Sequence, residues 1–405
     1  MMDVPKKILL ITPGIKNSRG HEIHGYAIEQ SLKQYTDVEV ISLKQIDTSL
    51  IGKLIIWPGI QIMKQLIASL PFLKFDEATR GKTADEYKVA LTTKLIGRGL
   101  VKYLKSQDNP ENLTLVSSHY AGVAAGKEAG LTRLTEVGPD FYPHDQTAIP
   151  RTYITSPSES FTKELKALNV EDKYIKKTGA ILTPAAAKNA VEENSIRDDV
   201  ASGKKNPMHI LITMGGAGPE ANEVVAVVEK IRDLILDGHQ LCSISVVAGD
   251  NRANRRRLRK KLMNIVFDQI LNDTDGCGFR VFGGEKGFTK KDEVVKTWEL
   301  LASSKDTNGL KPVDLVFTRP NDISLISTAM GIPTVLFTAS GSHEVKARKH
   351  MAEDLKTSVL FEDWMVNQQM GKIIEIGTKV LRGKKIGSIP MDSGEKLIEV
   401  VKLSQ

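Results

Sequence analysis

The sequence predicts an α/β protein built from two tandem doubly wound, Rossmann-like domains. Three observations carry that prediction. Short apolar runs of strand length alternate with helix-length stretches along most of the chain. The alternation stops once, at a polar stretch, and then restarts. The glycines, histidines and carboxylates collect in the loops that follow the apolar runs. A βαβα rhythm of this kind argues for a parallel sheet covered by helices on both faces. With 405 residues the chain is long enough for two separate cores.

The elements follow in order. Lys7–Thr12 reads as a strand, and the next helix is expected over His24–Tyr35. Strands are predicted at Val38–Ile41, Asn112–Ser117, Leu134–Glu136, Arg151–Thr155 and Tyr174–Thr178. Helices are predicted at Ala121–Ala129, which is rich in small residues, and at Glu159–Leu168. "AAAKNAVEENSIRDDVASGKKNP" then breaks the pattern, and its polarity and terminal Pro207 mark a linker. The rhythm restarts with the strand Met208–Met214 and a helix over Ala221–Leu236. Strands at Ser243–Ala248, Phe279–Phe282, Val313–Thr318 and Thr334–Phe337 complete the second sheet. The predicted organisation is thus a first domain over 1–186, a linker over 187–207 and a second domain over 208–385. A helix within 386–405 is expected to pack back on the first domain.

Composition narrows the function. Two cysteines, Cys242 and Cys277, cannot build a disulfide framework, which fits a reducing cytoplasm. The first residues lack the apolar core and cleavage site of a signal peptide. No apolar run reaches the roughly 20 residues that span a bilayer. The net charge of +7 favours an anionic partner such as a nucleotide or a lipid surface. Nucleic acid is not expected, because only 5% of residues are aromatic and no finger, RNP or helix-turn-helix pattern occurs. The basic run Arg255–Lys261 reads as a solvated helix face.

Parallel α/β sheets bind ligands at the carboxyl ends of their strands, which ranks the loops. In the first, His21 opens a helix after a glycine-bearing loop. A helix N-terminus favours anions and disfavours imidazolium, so a histidine there stays neutral and can act as a base. His24, three residues on, is placed on the same face. In the second loop Ser118 reads as a helix N-cap, with His119 capping or stacking beside it. The third, Thr135–His144, combines an acid, two aromatics and a histidine, as an acceptor loop would. The fourth holds Gly215, Gly216 and Gly218, which let backbone N–H groups approach a phosphate. No Gly-Lys-Ser/Thr follows, so it is not a Walker loop. The fifth runs from Thr318 to His350, where Asp322 or Ser324 starts a helix that ends at Gly331 and Gly341-Ser342-His343-Glu344 opens another. His21, His119 and His144 lack metal-ligand spacing, and no G-x-S-x-G elbow is present. Neither a metal nor another cofactor is therefore expected.

Together these segments resemble a family. "RGHEIHGYAIEQSL", "VSSHYAGVAAGKEAGL", "DFYPH", "YITSPSESFTKELKALNVEDKYIKKTGAI", "ITMGGAGPEANEVVAVVEKI", "VVAGDN" and "GSHEVKARKHM" occur in the order seen in GT-B glycosyltransferases. The likeness is to the group of monogalactosyldiacylglycerol synthase, processive diacylglycerol glucosyltransferase and the peptidoglycan N-acetylglucosaminyltransferase. It implies two domains facing a central cleft. It also implies inverting, metal-independent transfer from a nucleotide sugar, UDP-linked in that group. On the resemblance His21 is the general base, and His119, Asp140 and His144 shape the acceptor side. Gly20, Gly215, Gly216, Gly218, Arg319, Asn321, Asp322, Ser324, His343 and Glu344 lie on the donor side. The sequence departs at Thr318–Pro333, one residue shorter than the family pattern: Ile326 or Ser327 stands where relatives carry a ribose-binding Glu, and Asp322 is the carboxylate in the turn. Relatives often take lipid acceptors, and Leu54–Phe75 fits a membrane-facing flap, apolar and Trp-bearing with lysines nearby. That reading implies peripheral attachment to the inner face of the membrane. Two rivals use the same scaffold: a nucleotide-sugar 2-epimerase, and a non-catalytic sugar-nucleotide or glycan-binding protein.

Overall fold

The computed structural model describes residues 4–13, 19–46, 97–143, 149–192, 208–214, 221–236, 242–248, 258, 260–262, 279–282, 290–302, 313–339, 342–367 and 393–404. The chain divides into two units, Met1–Pro184 with Ser388–Gln405, and Ala185–Gly387.

The first unit begins with β1 (Lys7–Thr12), α1 (Arg19–Leu32), β2 (Asp37–Ser42), α2 (Leu43–Ile46) and α3 (Arg98–Lys105). It continues with β3 (Thr114–Ser117), α4 (Tyr120–Glu128), β4 (Arg133–Val137), β5 (Tyr153–Ser156), α5 (Glu159–Ala167) and β6 (Ile175–Lys177). The six strands are parallel, in the order β2-β1-β3-β4-β5-β6. β1 is buried at every position after Lys7, as a strand covered by helices on both faces must be. Strand order reverses between β1 and β3, which makes the crevice beyond their carboxyl ends the expected ligand site. Register then sets which loops meet there: Ile11 pairs with Ser117, and Ser117 with Glu136. The ends of β1, β3 and β4 are therefore level.

Small residues press α4 onto that junction. A Cβ on Gly122 would lie 2.3 Å from Ser117 Oγ and 2.8 Å from Ile11 Cγ2. Ala121, Ala124 and Ala125 line the same packed interior with Leu115 and Leu134. Only a helix stripped of bulk can sit this close to the sheet, which explains the run "YAGVAAG".

The boundary between the units falls after the first residue of α6 (Pro184–Glu192), and the second unit continues with β7 (Met208–Thr213), α7 (Ala221–Leu236), β8 (Cys242–Val247), β9 (Phe279–Phe282) and α8 (Lys290–Leu301). β10 (Leu315–Thr318), α9 (Asp322–Ala329), β11 (Thr334–Leu336), α10 (Ser342–Lys349), β12 (Ser358–Leu360) and α11 (Phe361–Asn367) follow. The order β12-β11-β10-β7-β8-β9 is again parallel and reverses between β7 and β10. Val224, Val227, Val228 and Ile231 bring the apolar stripe of α7 onto Ile210 and Ile212. Trp364 on α11 meets Phe317 edge-on at 4.8 Å. At the reversal point the Thr213 hydroxyl donates to the Thr318 hydroxyl at 2.8 Å, deep in the unit.

The last element, α12 (Ser393–Leu403), contacts α1, β4 and β5 of the first unit. Its Gly394 faces Ser31 of α1, whose hydroxyl donates to the Leu182 carbonyl.

The two parallel α/β units agree with the predicted fold class. Local differences have physical reasons. α1 starts at Arg19, not at His24, because Arg19 and Gly20 already lie in the helix although glycine reads as loop. The stretch read as a linker begins with α6, whose Pro184 and three alanines make a good first turn. β12, three residues long and only partly buried, was not predicted.

Candidate functional site

The crevice beyond β1, β3 and β4 holds a pocket lined by His21, Ser118, His119, Glu136, Tyr142 and Phe161, among others. His21 enters from the first turn of α1, one loop beyond the end of β1. Its Nδ1 lies 2.9 Å from the backbone oxygen of Ser118. A carbonyl only accepts, so Nδ1 carries the proton and donates. The neutral ring then keeps its lone pair on Nε2, the form a base requires.

His119 precedes α4 with extended backbone angles and caps it: the Ala121 N–H donates to His119 Nδ1 at 3.1 Å. The cap is thus His119, and Ser118, expected in that role, instead supplies the carbonyl that orients His21. Histidine is an uncommon cap, and Ser-His is read more readily the other way round. The His119 ring meets His21 edge-on at 4.9 Å between centroids and stacks on Tyr120 at 4.4 Å. Ser117 braces the turn, its hydroxyl donating to His119 O at 2.7 Å and accepting from the His119 N–H at 3.2 Å.

The sequence marks Glu136 only as the acid of its loop. It is buried at the end of β4 and lines the same pocket. The β3–β4 register was the signal that could have singled it out, since it sets Glu136 opposite Ser117. The next turn is held tightly. Gly138 donates to Thr155 Oγ1 at 3.1 Å, and a Cβ there would meet the Thr155 carbonyl at 2.6 Å. Tyr142 lines the pocket, whereas Asp140, partly exposed, does not.

His24 does not share the face of His21. It is sealed inside the unit and lines no part of the pocket. Burial pushes its imidazole down to about 4, against a smaller upward pull from a backbone hydrogen bond to Pro139. The unfolded chain therefore binds a proton near pH 6.5 that the folded chain refuses until about pH 4. Stability contributed by neutral His24 is full above pH 6.5 and is lost as pH falls through that window. Urea unfolding at pH 7 and pH 5 should differ by about 2 kcal/mol on this account. His24→Gln should flatten the slope; an unchanged slope would assign it to other groups.

In the second unit the structure joins two donor-side candidates. Arg319, just past β10, pairs with Glu344 in the first turn of α10 at 2.5 Å, and both side chains are buried. Asn321 caps α9, its side-chain oxygen accepting from the Ile323 N–H at 3.3 Å. The Ser324 hydroxyl donates back to Asn321 O at 2.6 Å, and Asp322 occupies the first turn, where a negative charge suits the helix dipole. Glu223 on α7 accepts from the Thr338 N–H and hydroxyl at 3.0 and 2.7 Å, tying the start of α7 to the loop after β11.

His144, Gly215, Gly216 and Gly218 lie outside the described residues, as do the flap Leu54–Phe75 and most of the Arg255–Lys261 run. Gly20 and His343 are placed only as backbone, in α1 and α10. Among the described residues no group of three His, Cys, Asp or Glu side chains is placed to hold a metal ion. Among them, no helix is long and apolar enough to cross a membrane.

Similar folds are known. S. aureus MnaA, solved as a co-structure with UDP, matches with a TM-score of 0.54 at 12% identity, covering 98% of this chain and 96% of that one. The UDP-GlcNAc 2-epimerase from Neisseria meningitidis, solved with UDP-GlcNAc, matches with a TM-score of 0.51 at 10% identity, covering 98% of each chain. At such identity the likeness establishes the two-unit α/β fold. No curated protein sequence matches the chain. A family described as "Domain of unknown function (DUF6938)" matches residues 170–384, more than half of the chain, and the chain belongs to that family.

Proposed function

We propose that the protein is an enzyme of nucleotide sugars that transfers the sugar to a hydroxyl acceptor, with inversion, without a metal, and with His21 as the base. The observation that carries this reading is the hydrogen bond from His21 Nδ1 to the Ser118 carbonyl. It sets the tautomer, so that the neutral ring has its lone pair on Nε2, at a strand-order reversal and in a pocket at the carboxyl ends of parallel strands. Inverting transfer asks for that: one base for the acceptor hydroxyl and a cradle for the departing diphosphate. On this reading the second unit binds the nucleotide, with the α9 N-terminus, just past β10, as an anion-favouring group. The donor is UDP-linked, and a lipid hydroxyl is the acceptor class to examine first.

A second reading, 2-epimerisation of the nucleotide sugar itself, is favoured by Glu136, which sets a buried carboxylate beside two histidines. It draws on the likeness to the epimerase fold as well. One experiment separates the two. UDP-glucose, UDP-galactose and UDP-GlcNAc are incubated in D2O with the protein, with and without octyl glucoside or diacylglycerol vesicles, and followed by proton NMR. Transfer releases UDP only when an acceptor is present. Epimerisation gives a new UDP-sugar without acceptor, carrying deuterium at the inverted carbon. If no sugar is consumed while UDP binds in calorimetry, both enzymatic readings fall and a binding protein remains.

A further inference from the structure

In the second unit the ends of β7, β10 and β11 are level. Leu315 and Phe317 pair with Ile210 and Ile212, and Thr318 pairs with Leu336. The Phe337 N–H then donates to the Thr318 carbonyl at 2.8 Å, so the chain leaves β11 at Thr338, beside the turn that leads from β10 into α9. Two donors converge there. The Thr338 N–H and the Thr338 hydroxyl both donate to Glu223 Oε1, at 3.0 and 2.7 Å. Glu223 belongs to the first turn of α7, the helix that follows β7. β10 stands between β7 and β11 in the sheet. The contact therefore joins the elements after β7 and β11 across the carboxyl end of β10, beside the point where strand order reverses.

A backbone N–H and a hydroxyl aimed at one oxygen make a cradle for an anion, and the anion in it is the protein's own carboxylate. The fold depends little on this contact. Val224, Val227, Val228 and Ile231 already hold α7 on the sheet. Glu223 is only partly buried, Thr338 is exposed, and among the described residues no cationic side chain pairs with the carboxylate. Glu223 can thus exchange the cradle for water at small cost.

We propose that Thr338 is a diphosphate-binding residue of the second unit, and that Glu223 occupies its two donors until a nucleoside diphosphate displaces it. The proposal rests on the nucleotide-sugar reading above. A diphosphate carries more charge than a carboxylate. It can also reach the α9 N-terminus at the same time, because adjacent strands lie only about 4.8 Å apart. A monophosphate reaches one of the two anchors. Glu223 therefore sets a threshold: Thr338 stays closed to weak anions and opens to the doubly anchored one. The displaced carboxylate passes into solvent, and no covalent bond changes.

Calorimetry on the full chain, without metal, reads the displacement with UDP, inorganic pyrophosphate and inorganic phosphate as probes. Glu223→Ala should bind UDP and pyrophosphate about tenfold more tightly than wild type, because the competing anion is gone. Glu223→Gln keeps the shape and a neutral acceptor, and its affinity should fall between the two. Thr338→Val loses the hydroxyl donor. It should weaken UDP binding about tenfold in the Glu223→Ala background and by less in wild type, where it loosens Glu223 as well. A carboxylate that only ties two loops together, or one that grips the nucleotide itself, predicts weaker binding when it is removed. Unchanged or weaker UDP binding in both Glu223 variants therefore overturns the proposal, while UDP binding by wild type in the same experiment keeps the nucleotide reading. Phosphate bound as tightly as pyrophosphate overturns the proposal as well, since one anchor would then suffice. Tighter pyrophosphate binding by Glu223→Ala, with no UDP bound by any form, overturns the nucleotide reading and supports the anion site. No probe bound by any form overturns both.

Discussion

Turnover is expected to fall by about 10²–10⁴-fold in His21→Ala, the range associated with loss of a positioned general base. The fold should survive. His21 is only partly buried, on the first turn of α1, and a hydrogen bond joins it to the Ser118 carbonyl. Losing such a bond costs about 1 kcal/mol, a small part of the stability of a domain. His21→Asn sharpens the test, because its amide N–H can still donate to Ser118 but no ring lone pair remains. Both variants should be inactive and nearly as stable as wild type in thermal unfolding. Activity in either would remove His21 from the mechanism and leave Glu136 as the base.

The largest effect on stability is expected at Glu344. Its carboxylate and the Arg319 guanidinium meet at 2.5 Å with only 8% and 10% of the side chains exposed. Breaking a buried pair leaves a charge that the interior solvates poorly, and typical costs are about 3–5 kcal/mol. Glu344→Ala should therefore destabilise the second unit by that amount in urea unfolding. The double variant Arg319→Met with Glu344→Leu removes both charges together and should recover most of the loss. A double variant as unstable as Glu344→Ala would mean that packing, not charge, accounts for the loss. UDP calorimetry on the double variant reads a separate quantity: weakened binding would place Arg319 on the diphosphate.

How far the sequence anticipated the structure depended on where the signal lay along the chain. Lys7–Thr12 is read correctly to the residue, because its apolar run Ile8–Ile11 fits a strand buried on both faces, and Phe279–Phe282 coincides with β9. The end of α9 is legible too, since Gly331 takes φ 74°, where glycine carries no steric cost. Other features depend on partners distant in the chain. His119 caps and stacks as expected, but Ser118 is not the cap; its carbonyl instead meets His21, 97 positions away. Glu136 joins the pocket through sheet register, and no local pattern encodes register. His24 has the helical spacing to share a face with His21, yet the unit closes over it. β12 is too short and too exposed for its periodicity to stand out.

The first unit is not complete when its own strands have been synthesised. α12, which packs on α1, β4 and β5, leaves the ribosome only after all of the second unit. During translation, then, the helix that carries His21 waits with its α12-binding surface open while a whole domain emerges behind it. A ribosome that stalls within residues 185–387 releases a chain whose first sheet is assembled but unsealed. Such a chain presents the apolar surface that chaperones and proteases recognise. The same arrangement withholds the final packing of the His21 helix until the second unit has been made.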